Sequence, residues 1–439
     1  MSTGASSGCA GSWKPGWGAA ERSSVRPRMV ERKSGSMGGS AIVPSAHMGS
    51  HLSLLDATRA LRETSFPDSA RAFFAPGRAN LLGAHLDYNG GVVMPVALSK
   101  GTCAILVPRS DGRLRFVSAN FPGEPIELAL DALRPQREEV WSSYLEGAIY
   151  LAQQEWGEVP GLDIYVDADL PMARGLSSSA SVQCVALFGL ARLLGREVPV
   201  QELIQLAHRS ETEYVGVQCG VLDPMAVFLG QPDRLMHYDC FTGEVEHLPL
   251  PADQVAIAVM DSGVKRELAG SAFNERVQEC ASSFAVLKQQ IPELGCLAHL
   301  RREDFEAHRG LLSAVQQRRC EHVVSEVART EQASAGLRAG RLDVFGAAMT
   351  AAHASLRRDY EVSTPELDAL VEAALAVDGC YGSRLTGAGF GGCTVAVLHP
   401  DAIAGFSEEV PRRYREATGR DTEVMIFRPA GGPAEWSLD

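Results

Sequence analysis

No two of the ten cysteines stand at C-x-x-C spacing, and their scatter along the 439 residues does not read as a disulfide framework. That pattern points to a reduced, cytoplasmic setting. There is no uninterrupted apolar run of about 18 residues, so no membrane-spanning helix is expected. Residues 1–50 offer no apolar stretch that would serve as the hydrophobic segment of a signal peptide. Basic charge is in the minority, with 41 Lys and Arg against 54 Asp and Glu, a formal charge of −13. A net negative surface argues against nucleic-acid or anionic-membrane partners, while leaving room for a local basic pocket around a phosphorylated ligand. No internal repeat is present.

What the chain does have is bulk, with 45% hydrophobic residues over a length that suits two or three domains. Residues 1–50 are rich in Ser, Gly and Pro and carry six basic and two acidic residues. They cannot bury enough surface to offset ordering entropy and read as a solvated, disordered tail. Cys184 and Cys393 lie in strongly apolar runs and read as small buried hydrophobes. In "LDIYVDADL" (162–170), Leu162, Ile164, Val166, Ala168 and Leu170 alternate and would face one side of a strand. After the Gly/Ser loop "PMARGLSSSAS" comes a run apolar nearly all round, predicting a deeply buried helix over 182–194 that stops at Gly195. Near the end, "STPELDALVEAAL" predicts a helix with Ser363 and Glu366 at capping-box spacing and Pro365 in the first turn. Its apolar stripe is Leu367, Leu370, Val371, Ala374 and Leu375, and its end lies near Gly379. A glycine loop and a short strand over 393–398 follow. Helices and strands mixed in this way predict an α+β protein of two lobes.

Several segments carry chemistry. A phosphate needs donors converging on its oxygens; Gly175 lets the backbone approach, Ser177, Ser178 and Ser179 add hydroxyls, and the following helix presents free N–H groups at its positive end. The plainer alternative is a Ser-rich turn with a cap. No Gly-Lys-Ser/Thr follows the glycines, so the loop is not a Walker A motif. "TGAGFGGC" (386–393) holds four glycines in eight positions, a density that marks close backbone approach or positive φ, or only a tight turn. Asp223 in "CGVLDPM" sits in an apolar setting where a lone carboxylate is costly. It needs a cation or hydrogen-bond donors to stay ionised, with Arg78 of "APGRAN" as the distant candidate, or else it caps the turn before Pro224. "GRANLLGAHLDYNGG" (77–91) leads from an apolar strand into a polar, bendable run.

Together these segments resemble the galactokinase branch of the GHMP small-molecule kinases. "PGRANLLGAHLDYNGG" is similar to that family's sugar signature, "PMARGLSSSAS" to its ATP-phosphate loop and "RLTGAGFGGCTVAV" to its third motif. "WSSYLEGAIY", "CGVLDP" and "LRRDYEVSTPELDALVEAAL" lie between and around them in the family's order. The match runs from about residue 71 to about residue 430. The resemblance implies a ribosomal S5-like N-terminal lobe (51–215), a ferredoxin-like C-terminal lobe (216–439) and a site in the cleft. It implies ATP, Mg2+ and phosphorylation of the anomeric hydroxyl of a galactose-like sugar. Carried over by position, Asp223 is the base and Arg78 its partner. Ser179 and Glu211 lie near Mg2+, although Glu211 also reads as an exposed helix residue. Ala84, His85, Asp87, Gly220 and Phe273 line the sugar. Gly175, Leu176, Ser177, Ser178, Ser179, Ala180, Gly387 and Gly389 surround ATP. The partners implied are a small sugar and ATP, with the chain a monomer or a weak homo-oligomer.

Three departures bear on the sugar. Galactokinases carry Glu where this chain has Ala84, facing the sugar's sixth carbon. The change removes an acceptor and a negative charge, and plant galacturonate kinases have a similar "GAH". Phe273 and Asn274 replace a Tyr-Pro pair, and Ala173 and Arg174 replace loop glycines. Galactose is the default substrate, and galacturonate or another C6-modified sugar stays open. So does a sugar-sensing regulator without turnover, against which stands the full set Asp223, Arg78, Ser179 and Glu211. "GAHLDYNGG" and "RRDYEVSTPELD" separate the chain from mevalonate and homoserine kinases.

Overall fold

The computed structural model describes residues 47–62, 64–135, 140–171, 175–217, 219–264 and 269–438. The expected tail therefore lies outside the described residues except for 47–50, which open the helix His47–Arg59. Ala173 and Arg174 also lie outside them.

Two sheets organise the described chain. The first is built from β1 (Arg71–Leu82), β2 (Val92–Arg109), β3 (Arg113–Ser118), β4 (Ile126–Ala129), β5 (Gly161–Ala168), β6 (Arg234–Asp239) and β7 (Val245–Pro249). The second holds β8 (Ala256–Asp261), β9 (Cys380–Leu385), β10 (Cys393–Leu398) and β11 (Val424–Phe427). The last strand, β12 (Ala434–Trp436), returns to the first sheet and pairs antiparallel with β1. The first sheet runs β12-β1-β2-β5-β3-β4, and β6 joins the start of β2 and pairs with β7. The second runs β11-β8-β10-β9 and is antiparallel throughout. Counted within that sheet, the order is 4-1-3-2 with helices after its first and third strands, the ferredoxin-like pattern. The α+β, two-lobed expectation holds.

β1 and β2 are apolar nearly throughout because both faces of the sheet are covered. The helix Ser178–Leu193 lies on one face, its Gly189 against Phe73 and Leu106. It starts four residues before the expected position because the serines themselves form its first turn. On the other face, Leu54 and Leu55 of the first helix pack with Phe74, Ile105 and Tyr165. That cover is why β5 buries Tyr165 as well as the alternating set Leu162, Ile164 and Val166. In the second sheet, Ile257, Val259 and Val395 pack with Phe345 and Met349 from one layer of helices. Ala258 and Ala396 pack with Leu370 and Phe406 from the other.

β10 occupies the predicted 393–398. The helix Pro365–Leu375 is present, but Thr364 caps it by accepting the Leu367 N–H, while Ser363 Oγ donates to Asp368 at 2.6 Å. Leu375, in the last turn, is exposed, and Ala373 is buried instead. Cys184 and Cys393 are fully buried.

Candidate active site

The site begins with an irregularity. β1 and β2 lose register between Pro76 and Arg78, at Gly77. A Cβ on Gly77 would stand 2.8 Å from the Leu176 carbonyl and 2.7 Å from the Leu170 side chain, so glycine is what lets the Gly/Ser loop lie against the strand. The bulge turns the Arg78 N–H away from β2 and onto Leu176 O at 3.1 Å. The Arg78 side chain then enters the cleft. Its Nε and Nη2 donate to Asp223 Oδ1 at 2.9 and 2.5 Å, and its Nη1 donates to Gly175 O at 2.7 Å. Asp223 lies in the first turn of the helix Leu222–Phe228, and its second oxygen accepts from Ser177 Oγ. Ser177 holds a left-handed backbone, φ 56°, next to Gly175 at φ 73°. A non-glycine residue at positive φ is strained and persists where its surroundings hold it. Here the bond to Asp223 does so. One carboxylate therefore joins β1, the Gly/Ser loop and its own helix.

Behind it, Ser178 and Ser179 begin the helix, and the side chains of Leu176 and Ala180 are buried. Ser179 Oγ donates to Glu211 Oε1 at 3.1 Å. Glu211 is buried in the π-helical turn Ser210–Val215 and is not an exposed helix residue. Burial and the charge of Asp223 push its carboxyl up. The described residues contain no cluster of three or more metal-ligating side chains. A pair of oxygens such as Ser179 Oγ and Glu211 suits Mg2+, which keeps most of its ligands from water and phosphate.

A cleft of about 160 Å3 opens next to Asp223, lined among others by Arg78, Ala84, His85, Asp87, Gly220 and Phe273. Asp87 is half-buried, and burial pushes its carboxyl up to about 6, against backbone N–H bonds that favour the anion. His85 sits at φ 61° with its carbonyl held by Asn89 Nδ2 at 2.7 Å. Gly387 lines the cleft from the far sheet, whereas Gly389 packs away from it, at φ 81°, with Phe390 N–H on Val362 O at 2.7 Å. Cys219 lines the same cleft, and desolvation together with the charges of Glu211 and Asp223 pushes its thiol up.

Sequence reasoning missed the shell beneath Ala84. Glu326, fully buried in the helix Ala314–Arg338, accepts the N–H groups of Gly83 and Ala84 at 2.9 and 3.0 Å. Burial alone would push Glu326 up, but the charges of Arg329 and Arg384 outweigh it and hold the carboxyl down. His322 Nε2 lies 3.1 Å from Ala84 O and donates to it; burial pushes its ring down to about 4, so it is neutral. Arg384 also lines the cleft, is 1% exposed and has no partner for Nη1 among the described residues. The i, i+4 spacing of His322 and Glu326 and the lone Arg in the strand "YGSRL" were the available signals.

Comparison with known proteins agrees with this geometry. The family model "Galactokinase galactose-binding signature" matches residues 63–108, "GHMP kinases N terminal domain" matches 143–231 and "GHMP kinases C terminal" matches 333–416. A protein named galactokinase from Bacillus subtilis is 39% identical over 371 residues, 84% of this chain and 95% of the relative. Another from Exiguobacterium sibiricum is 40% identical over 369 residues, 84% of this chain and 94% of the relative. The crystal structure of Lactococcus lactis galactokinase complexed with galactose superposes with a TM-score of 0.80 at 34% identity, covering 88% of this chain and 100% of that one. By fold, motif order and extent of identity, the chain belongs to the galactokinase family of GHMP kinases.

Proposed function

We propose that this chain transfers the γ-phosphoryl group of ATP to the anomeric hydroxyl of galactose, giving the sugar 1-phosphate and ADP. The observation that carries the reading is one carboxylate, Asp223, gripped by Arg78 and Ser177 at the edge of a sugar-sized cleft. The C1 oxygen attacks the γ-phosphorus, a new O–P bond forms, and the bond to the β–γ bridging oxygen breaks. Asp223 accepts the hydroxyl proton. Arg78 holds that carboxylate in place and offsets negative charge during transfer. Gly175 to Ala180 present N–H groups and the positive end of their helix to the phosphates, with the Gly387 loop opposite. Ser179 and Glu211 would hold Mg2+, which would supply charge neutralisation of the phosphates. His85, Asp87, Gly220 and Phe273 contact the sugar. Among the described residues no helix is long and apolar enough to cross a membrane.

The test is ADP release across a panel of galactose, galacturonate and N-acetylgalactosamine. Asp223→Asn should lower kcat about 10²- to 10⁴-fold, the range for loss of a general base. Sugar and ATP binding without turnover in the unmodified chain would favour a sensor instead.

One observation favours a second reading. The unpartnered Arg384 Nη1 lines the same cleft as the Ala84 methyl group. Burial pushes that guanidinium down to about 10, Glu326 opposing, and a buried cation lacking a full set of acceptors is costly. A carboxylate at the sugar's sixth carbon would meet it, which makes galacturonate the alternative substrate.

A further inference from the structure

Four side chains form a buried chain of hydrogen bonds that ends in the sugar cleft. His85 Nδ1 is 3.0 Å from Tyr88 Oη, Tyr88 Oη is 2.7 Å from Tyr360 Oη, and Tyr360 Oη is 3.1 Å from Cys280 Sγ. They come from three distant parts of the chain: residues 85–88 at the turn Asp87–Asn89, the segment after the helix Leu342–Arg358, and the helix Ala269–Lys288. Tyr360 and Cys280 are essentially without solvent contact. The other imidazole nitrogen, His85 Nε2, is buried, has no partner among the described residues and belongs to the cleft lining. The ring of Tyr360 lies against both His85 and His322, with centroids at 4.6 and 4.4 Å.

We infer that Tyr88, Tyr360 and Cys280 are positioning residues that fix the tautomer of His85, so that Nε2–H points into the cleft as a donor to a sugar oxygen. This rests on the sugar-kinase reading above. The sense of the relay follows from the groups. A phenol O–H is a better donor than a neutral imidazole N–H, and an imidazole nitrogen a better acceptor than a phenol oxygen. Tyr88 therefore donates to Nδ1, Tyr360 donates to Tyr88, and the Cys280 thiol donates to Tyr360. Each hydroxyl spends its one proton toward His85, which leaves the ring proton on Nε2. The groups stay in those forms. Burial pushes both phenols well above their usual range and the imidazole well below its own, with the charges of Arg384 and Arg276 adding to the latter. The strained backbone of His85, pinned by Asn89, aims the ring. A donor set in advance costs no reorganisation when sugar arrives.

The test combines 15N NMR of the histidine rings with sugar and ATP kinetics for the unmodified chain, Tyr88→Phe and Tyr360→Phe. The expected result is an Nε2–H ring at His85 in the unmodified chain. Tyr88→Phe should shift ring population toward Nδ1–H and raise the sugar KM about tenfold, the scale of one lost hydrogen bond, with the ATP KM unchanged. Tyr360→Phe should move the same two readouts by a smaller amount, about threefold in KM. Because it trims one buried oxygen, it carries the test should Tyr88→Phe melt early. An Nδ1–H ring in the unmodified chain, or a sugar KM and ring form unmoved in both variants, would overturn the inference. Absence of turnover with every sugar would overturn the kinase reading alone, since the ring form is read without catalysis.

Discussion

Replacing Arg78 tests how much of the activity depends on holding one carboxylate still. Its guanidinium makes three hydrogen bonds, two to Asp223 Oδ1 and one to the Gly175 carbonyl. Bonds to charged groups contribute roughly 1.5–3 kcal/mol each in mutational series. The Arg78 and Asp223 side chains are 13% and 28% exposed, so water replaces part of what is lost. A combined loss of about 2–3 kcal/mol in transition-state stabilisation is then reasonable for Arg78→Met, or about 30- to 150-fold in kcat/KM. Arg78→Lys keeps the charge but not the planar fork, and should fall in between. Ser177→Ala removes the donor to the other carboxylate oxygen. Since both residues hold one group, the double variant should cost less than the sum of the single ones, by 0.5 kcal/mol or more in a cycle of roughly this kind. The assay is coupled ADP release at subsaturating sugar, with thermal melts to score folding. A folded Arg78→Met within threefold of the unmodified chain would show that Asp223 does not depend on Arg78, and strict additivity with Ser177→Ala would show that the two do not act through one group.

Ala84→Glu should place a carboxylate facing Arg384 and raise the galactose-to-galacturonate ratio of kcat/KM by about tenfold; an unchanged ratio removes Ala84 from sugar selection. On the proposed reading an ionised Asp87 accepts hydrogen bonds from sugar hydroxyls, and burial raises it to about 6, so sugar kcat/KM should fall as pH drops through that value. Asp87→Asn should flatten that limb. The stability effect has the opposite sign: the folded state holds this proton more tightly than the unfolded chain, so its contribution is full below about pH 4 and is lost as pH rises through the folded value. Denaturant melts of the sugar-free protein with and without Asp87→Asn read this directly. Gly389→Ala should cost about 2–3 kcal/mol and lower the melting temperature, because a Cβ there would sit 2.3 Å from Val362 O at φ 81°. An unchanged melt would mean the loop rearranges freely.

The elements that local chemistry determines were legible. The strand Cys393–Leu398 follows a glycine loop, and the helix at Pro365 has its proline and acidic residues in the first turn. Its cap shifted from Ser363 to Thr364 because Ser363 found Asp368, a choice made by side-chain geometry that spacing does not encode. Asp223 announced its need for a partner through its apolar neighbours, and Arg78 supplies it across 145 positions. The shell under Ala84 was not legible. Glu326, His322 and Arg384 look like ordinary charged residues until helix and strand bring them to the sugar signature. Likewise, nothing in "LDIYVDADL" announces that a helix over 47–59 covers the Tyr165 side of the sheet.

Glu326 grips the amides of Gly83 and Ala84 from 243 and 242 positions downstream. A nascent chain on the ribosome reaches that grip only after most of its length has been made, and loop closure over such a span is slow. That anchor therefore sets late. Chains stalled before Glu326 would carry the Gly/Ser loop, Arg78 and Asp223, yet leave the amides of Gly83 and Ala84 unheld.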